Sequence, residues 1–112
     1  MNIEKDKLLE LFKEKVTDSI YPLKMGGHID EKAFNELLLV AEEATKLLKN
    51  DDLIPKKLLL EIYVASGAIA GDNEYFKSEF LSEISARLLN CFNLIIDGRT
   101  VEDQRCHGPR II

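Results

Sequence analysis

The sequence is poor in the residues that build catalytic and metal centres. Its 112 residues include two cysteines, two histidines and no tryptophan. The histidines, His28 and His107, lie in separate segments, and no second pair of ligands stands at zinc-finger spacing from Cys106 and His107. The Glu-x-x-His pairs of di-iron bundles and the Gly-Lys-Ser/Thr ending of a phosphate loop are also absent. We therefore expect no enzymatic activity, no bound metal and no cofactor.

Long apolar runs are missing as well. The N-terminal segment MNIEKDKLLELFKEK carries charges throughout, which is unlike a secretory signal. No run approaches the roughly 20 apolar residues that cross a bilayer as a helix. We expect a cytoplasmic protein that does not contact membranes.

Positive charge is in deficit. Lys and Arg number 15 against 20 Asp and Glu, which gives a formal net charge of -5. This balance argues against nucleic acid and anionic lipid as partners, because both attract basic surfaces. It is compatible with a basic protein partner, and equally with mild acidity that only maintains solubility.

What the sequence does contain is helical periodicity. Apolar residues recur at three- and four-residue steps in four segments, and no segment alternates as a strand would. Short connections between the segments favour antiparallel packing of consecutive helices. The sequence predicts an all-α fold in a single domain over 1–112, with a compact antiparallel bundle of about four helices over 2–97. An extended C-terminal tail is predicted over 98–112.

Turn and capping residues predict the helix limits. The first helix should cover about 2–21 and end at Pro22 and the following glycine pair. Asp30 should cap the second helix, because its carboxylate can accept hydrogen bonds from free amides of the first turn. Gly98 should end the fourth helix in a left-handed conformation.

The third segment is apolar nearly all round, which predicts the most buried helix of the bundle. Pro55 is placed where this helix begins, and Gly71 lies where it should end. Asp72 or Asn73 would then cap the fourth helix. Tyr75, in the first turn of that helix and off its main apolar stripe, is predicted to be partly exposed.

An acidic segment is the first candidate for binding. Between residues 30 and 52 the chain has seven acids and three lysines, and Glu36 and Glu43 fall near one helical line. This pattern is typical of a solvated helix surface, and it would also suit a patch that binds a basic partner. The candidate contact residues here are Asp30, Glu36, Glu42, Glu43, Asp51 and Asp52.

The C-terminal tail is the second candidate. Arg105 and Arg110 could contact a partner, since arginine is enriched at interface hot spots. Alternatively, the tail is a strap whose arginines pair with carboxylates of the bundle.

The segment NCFNLIIDGRTVEDQRCHGPRII, following an acidic helical body, resembles small all-helical bacterial immunity proteins, including those of contact-dependent growth inhibition. The resemblance implies a cytoplasmic inhibitor that binds one cognate toxin domain, such as a nuclease with a basic cleft, and occludes its active site. It transfers no catalytic residues. Two other hypotheses stay open. One is a helical adaptor or regulatory subunit that could self-associate through the small residues of the third helix, and the other is a small metal-binding or enzymatic bundle.

Overall fold

The computed structural model describes residues 3–101, which form four α-helices preceded by one short 3-10 turn at Lys5–Lys7. The helices are α1 (Leu8–Gly26), α2 (Glu31–Leu47), α3 (Lys56–Phe76) and α4 (Glu79–Asp97). No strand forms within residues 3–101. The predicted all-α fold is confirmed. The predicted tail falls mainly on residues 102–112, which lie outside the described part of the chain.

The four helices pack in a ring in which α1 contacts α2 and α3, and α4 contacts α2 and α3. Consecutive helices are antiparallel. Lys5 before α1 pairs with Asp51 after α2, and the last turn of α3 meets the start of α4 at Asn73–Ser78 while Ser66 meets Ser85 farther along both helices. The α2–α3 connection crosses the bundle diagonally, which places α2 beside α4. These two helices lie side by side and run in the same direction, because their first turns meet at Phe34–Phe80 and their C-terminal ends meet at Lys49–Gly98.

The core forms where the apolar stripes of all four helices meet. Phe12 and Phe34 are fully buried, and the second helix contributes the longest set of buried residues. Burying side chains of this size stabilises a fold by about 1.5–3 kcal/mol each. The other fully buried large side chains are Leu8, Leu23, Leu37, Leu48, Leu58, Ile62, Ile69, Leu81, Ile84 and Leu88.

Two of the predicted helix ends are confirmed by their capping geometry. The Asp30 carboxylate accepts a hydrogen bond from the backbone N–H of Ala33 at 3.2 Å, which satisfies one free donor of the first turn of α2. Gly98 ends α4 with φ 72°, a left-handed conformation that glycine adopts without a steric cost.

The predicted end of the first helix is wrong at Pro22 and correct at the glycine pair. Pro22 lies inside α1, and the helix continues to Gly26, where Gly27 adopts φ 65°. A proline removes only one backbone donor, and its acceptor would be the carbonyl of Asp18, an exposed residue that water can reach. One lost hydrogen bond so close to the end of the helix does not stop it.

The predicted boundary between the third and fourth helices is also wrong. Gly71, Asp72 and Asn73 are all inside α3, which ends at Phe76. Lys77 takes the left-handed conformation at φ 53°, and Ser78 caps α4 by accepting from the N–H of Leu81.

The Asn73 side chain holds this junction. Its Oδ1 accepts from the Ser78 N–H at 2.7 Å and its Nδ2 donates to the Ser78 carbonyl at 2.9 Å. The sequence predicted Asn73 as a possible cap of the fourth helix. The residue instead lies inside α3, and its side chain stabilises the turn that follows.

The third helix is not the most buried one. Only five of its residues are buried, whereas α2 buries eight over a shorter length. On its outer side Leu60, Tyr63 and Val64 are 58%, 55% and 55% exposed. The apolar residues of α3 therefore fall into two groups. Those on the inner side join the core, and those on the outer side form an uncovered apolar surface.

Candidate protein-binding surface

The acids predicted on α2 are engaged with other parts of the bundle. Glu36 pairs with Lys15 of α1 at 3.3 Å, and Glu42 pairs with Arg87 of α4 at 2.8 Å. Each of these carboxylates therefore faces a base from a different neighbouring helix. They do not form a continuous negative face.

Glu43 and Glu42 do come together, at a groove between α2 and α4. Glu43 has Lys46 at 3.7 Å, so both carboxylates have a base beside them. The groove is about 350 Å³ in volume and also includes Leu39, Asn90 and Val101. The two carboxylates of the groove are balanced by its two bases, Lys46 and Arg87.

The remaining predicted acids lie at the two ends of α2. Asp30 caps the start of the helix, while Asp51 and Asp52 follow its end. Asp51 pairs with Lys5 at 3.0 Å, and Asp52 is exposed. The six predicted acids are thus spread over the whole length of the helix.

Tyr75 is 84% exposed, as predicted for a residue off the apolar stripe, but it lies in the last turn of α3. Its ring meets that of Phe76 edge to face, with centroids 5.1 Å apart. The two predicted arginines, Arg105 and Arg110, lie outside the described residues.

The outer side of α1 carries an acidic row that the sequence analysis did not select. Glu10, Glu14 and Asp18 follow one another at four-residue steps and are all exposed. None of the three forms an ion pair with another described residue. Neighbouring carboxylates in such a row are about 6 Å apart along the helix axis.

Two large side chains continue this row toward the end of α1. Tyr21 is 58% exposed and Met25 is 86% exposed. We call the five residues Glu10, Glu14, Asp18, Tyr21 and Met25 the α1 outer face. It combines three exposed carboxylates that form no ion pair with another described residue and two side chains of the types that protein interfaces favour.

The α1 outer face could be recognised in the sequence from the spacing of its acids. Leu8, Phe12 and Val16 mark the inner side of the first helix, and Glu10, Glu14 and Asp18 repeat with the same spacing on the other side. The acidic segment at 30–52 contains more acids, but counting them does not reveal which bases of other helices lie beside them.

The buried thiol of Cys91 is held in its protonated form. Cys91 is buried, and burial raises the pKa of its thiol to about 12, with a further contribution from the Glu42 carboxylate that outweighs the opposing effect of Arg87. A thiol in that environment is a poor nucleophile, because the thiolate is the reactive form. Within residues 3–101, no three His, Cys, Asp or Glu side chains are grouped so that they could hold a metal ion.

Among the described helices, none combines the length and the apolar content that crossing a membrane requires. Comparison of the chain with protein-family models, with curated proteins and with solved structures finds no match.

Proposed function

We propose that the protein is an inhibitory binding protein of the immunity type, which neutralises a basic toxin domain by covering its active-site cleft. The α1 outer face is the principal contact. The single observation that carries this proposal is the row Glu10, Glu14 and Asp18, which is exposed and lacks ion pairs with other described residues.

The row differs from the acids predicted on α2, because Glu36, Glu42 and Glu43 have ion-pair partners and the row has none among the described residues. It differs from the other unpaired acids because its three carboxylates follow one another at four-residue steps on one side of a helix. A basic partner that docks on α1 displaces water and salt ions only, whereas docking on Glu36 or Glu42 also has to compete with Lys15 or Arg87. Complementary charge speeds association and rejects acidic partners. The net charge of -5 adds a long-range attraction in the same direction.

Tyr21 and Met25 supply the apolar part of the contact. Tyrosine and methionine are both enriched at interfaces. Tyrosine buries a large area at a modest conformational cost, and methionine has a flexible side chain that adapts to the surface of a partner. Placed beside a row of carboxylates, they give the face the arrangement of an interface, in which apolar contacts provide affinity and charges provide orientation.

A helical row of carboxylates also suits the cleft of a nuclease toxin. Its carboxylates repeat every 6 Å or so along a rigid rod and could occupy positions that phosphates take in the substrate. The helix is already formed and packed, so binding costs little conformational entropy. Inhibition then requires no reaction, only occupation of the cleft.

The groove that holds Glu42 and Glu43 is a secondary contact in this proposal. Exposed ion pairs contribute about 0–1 kcal/mol, so an arginine or lysine of the partner can replace Arg87 or Lys46 at small cost. The acids predicted from the sequence thus keep a role, at the edge of the contact.

Co-expression tests the proposal. The protein is expressed in bacterial cells together with the product of the adjacent upstream gene, and the complex is purified and its dissociation constant measured. We expect a one-to-one complex that protects cells from the toxicity of the partner. Absence of both complex and protection would exclude the immunity function for that pair.

A matched pair of charge reversals then tests the face. Glu14→Lys changes the middle of the acidic row, while Glu83→Lys makes the same change at an exposed position of α4. We expect Glu14→Lys to weaken the complex by about tenfold or more, since like charges opposite each other at an interface cost over 1 kcal/mol. Equal effects of the two variants would show that only net charge matters.

A further inference from the structure

The outer side of α3 carries six exposed residues spaced alternately by three and four positions, the repeat along which two helices pack in a coiled coil. We call them the α3 seam. The residues of the α3 seam are Lys57, Leu60, Val64, Gly67, Gly71 and Glu74.

The two glycines of the seam have no use within one copy of the chain. A Cβ added at Gly67 or at Gly71 would meet nothing within 4 Å. A glycine in the middle of a helix costs about 1 kcal/mol relative to alanine. α3 therefore bears two costly residues at positions where its own fold would accept a side chain.

The two large apolar residues of the seam, Leu60 and Val64, are also uncovered within one copy of the chain. Leu60 and Val64 are more than half exposed, and Tyr63 beside them is 55% exposed while its ring contacts Phe92 at 5.4 Å. The apolar surface extends from there along α4 to Leu89 and Ile96, which are 40% and 54% exposed. Nothing else among the described residues covers this side of the α3–α4 pair.

The order of residues along the seam makes it complementary to itself in the antiparallel direction. When a second copy of α3 is laid across the first in the opposite direction, Leu60 faces Gly71 of the second copy and Val64 faces Gly67 of the second copy. Each large side chain then meets a glycine, which lets the two backbones approach closely. At the ends, Lys57 faces Glu74 of the second copy.

The charges support the same pairing. Lys57 and Glu74 are exposed and form no ion pair with another described residue. They stand about 26 Å apart along the helix, so they cannot meet within one copy. In a dimer with a two-fold axis, Lys57 of each copy meets Glu74 of the other copy, which gives two ion pairs. A parallel arrangement would instead place lysine against lysine and glutamate against glutamate.

We propose that the protein forms a homodimer in which the α3 seams of two copies pack antiparallel, with Leu60 and Val64 seated on Gly71 and Gly67 of the second copy. The seam shares no residue with the α1 outer face. The dimer therefore presents two α1 outer faces and does not depend on the proposed function.

Sedimentation velocity of the full chain over a wide concentration range tests the dimer, with circular dichroism to verify folding of every variant. We expect a concentration-dependent dimer. Lys57→Glu and Glu74→Lys should each raise the dimer dissociation constant by about tenfold or more. Each variant turns the two opposite-charge pairs of the dimer into two pairs of like charge, which repel. The double variant K57E/E74K should restore dimerisation. The matched control K32E/E83K exchanges two exposed charges away from the seam and should leave the dimer unchanged.

A second variant separates the interface from the fold. A Cβ at Gly71 meets nothing within 4 Å in its own chain, whereas the side chain of Gly71→Leu would collide with Leu60 of the second copy, so we expect a folded monomer with the helical circular dichroism of the natural protein. A natural protein that stays monomeric at every concentration would overturn the proposal. So would a dimer that survives Gly71→Leu, or single charge reversals that the double variant fails to rescue.

Discussion

Ser66 and Ser85 exchange hydrogen bonds across the core between α3 and α4. The Ser66 hydroxyl donates to the Ser85 carbonyl at 2.9 Å, and the Ser85 hydroxyl donates to the Ser66 carbonyl at 3.0 Å. Both residues are buried, and their two hydroxyl oxygens lie 3.4 Å apart. The small side chains let the helices approach closely at this point, and the reciprocal bonds fix the position of one helix along the other.

Replacing Ser66 or Ser85 by alanine should lower the free energy of unfolding by about 1 kcal/mol each, because a buried hydrogen bond is lost each time. The double variant should cost less than the two single variants added together, since the hydroxyls share one site. Urea denaturation measures these values. Ser82→Ala, at an exposed position of α4, is the control for the helix propensity gained with alanine; a loss of the same size there would contradict the role of the hydrogen bonds.

Glu14→Gln should raise the free energy of unfolding by about 0.5 kcal/mol, because it removes two repulsive pairs of like charge at four-residue spacing. No base lies three or four positions from Glu14 on α1, so nothing is lost in exchange. The same variant should weaken binding to the proposed basic partner. Chemical denaturation at low and high salt checks the first effect, which should shrink as salt is added. A destabilised Glu14→Gln protein would show that this carboxylate has a partner inside the fold.

Lys77→Gly should stabilise the protein by about 0.5–1 kcal/mol. A side chain in the left-handed conformation costs about 1–2 kcal/mol, and the greater freedom of glycine in the unfolded chain offsets part of the gain. Lys77 has φ 53° between α3 and α4. Lys77→Ala serves as the control, since alanine keeps the Cβ and should bring no such gain. Equal melting temperatures for the glycine and alanine variants would rule out backbone strain at this turn.

Cys91 should resist alkylation in the folded protein and react rapidly after unfolding. The raised pKa means that the folded state retains a proton that the unfolded chain loses near pH 9, so this thiol makes stability fall as the pH rises from about 9 toward 12. Below pH 9 both states hold the proton, and the contribution is constant. The measurement compares Cys106→Ser with Cys106→Ser/Cys91→Ala in denaturant titrations at several pH values. If the free energy of unfolding changed with pH in the same way in both proteins, burial would not raise the pKa of the Cys91 thiol.

Much of this fold could be predicted from the sequence, because the relevant signals are local. The four apolar stripes depend on spacing within one helix, and the caps at Asp30 and Gly98 depend on one residue and its immediate neighbours. Pro22 and Gly71 misled the prediction for the same reason. Each weakens a helix locally, but packing over the whole length of α1 and α3 outweighs one lost hydrogen bond or one flexible residue.

The candidate binding surface was harder to predict, because it depends on contacts between helices. Glu36 and Glu42 look alike in sequence to Glu10 and Glu14, and only the packing brings Lys15 to one and Arg87 to another. The apolar residues of α3 posed a similar difficulty. Composition marks Leu60, Tyr63 and Val64 as apolar, but whether a neighbouring helix covers them is decided by how the four helices are arranged.

Protection of growing cells tests the central claim most directly. Cells that produce the product of the adjacent upstream gene are supplied with the natural protein, with the triple variant Glu10→Lys/Glu14→Lys/Asp18→Lys, or with Glu83→Lys as the control, each verified to be folded and equally abundant. We predict that the natural protein and Glu83→Lys restore growth and that the triple variant does not. Full protection by the triple variant would contradict the account, because the acidic row of α1 would then have no part in binding.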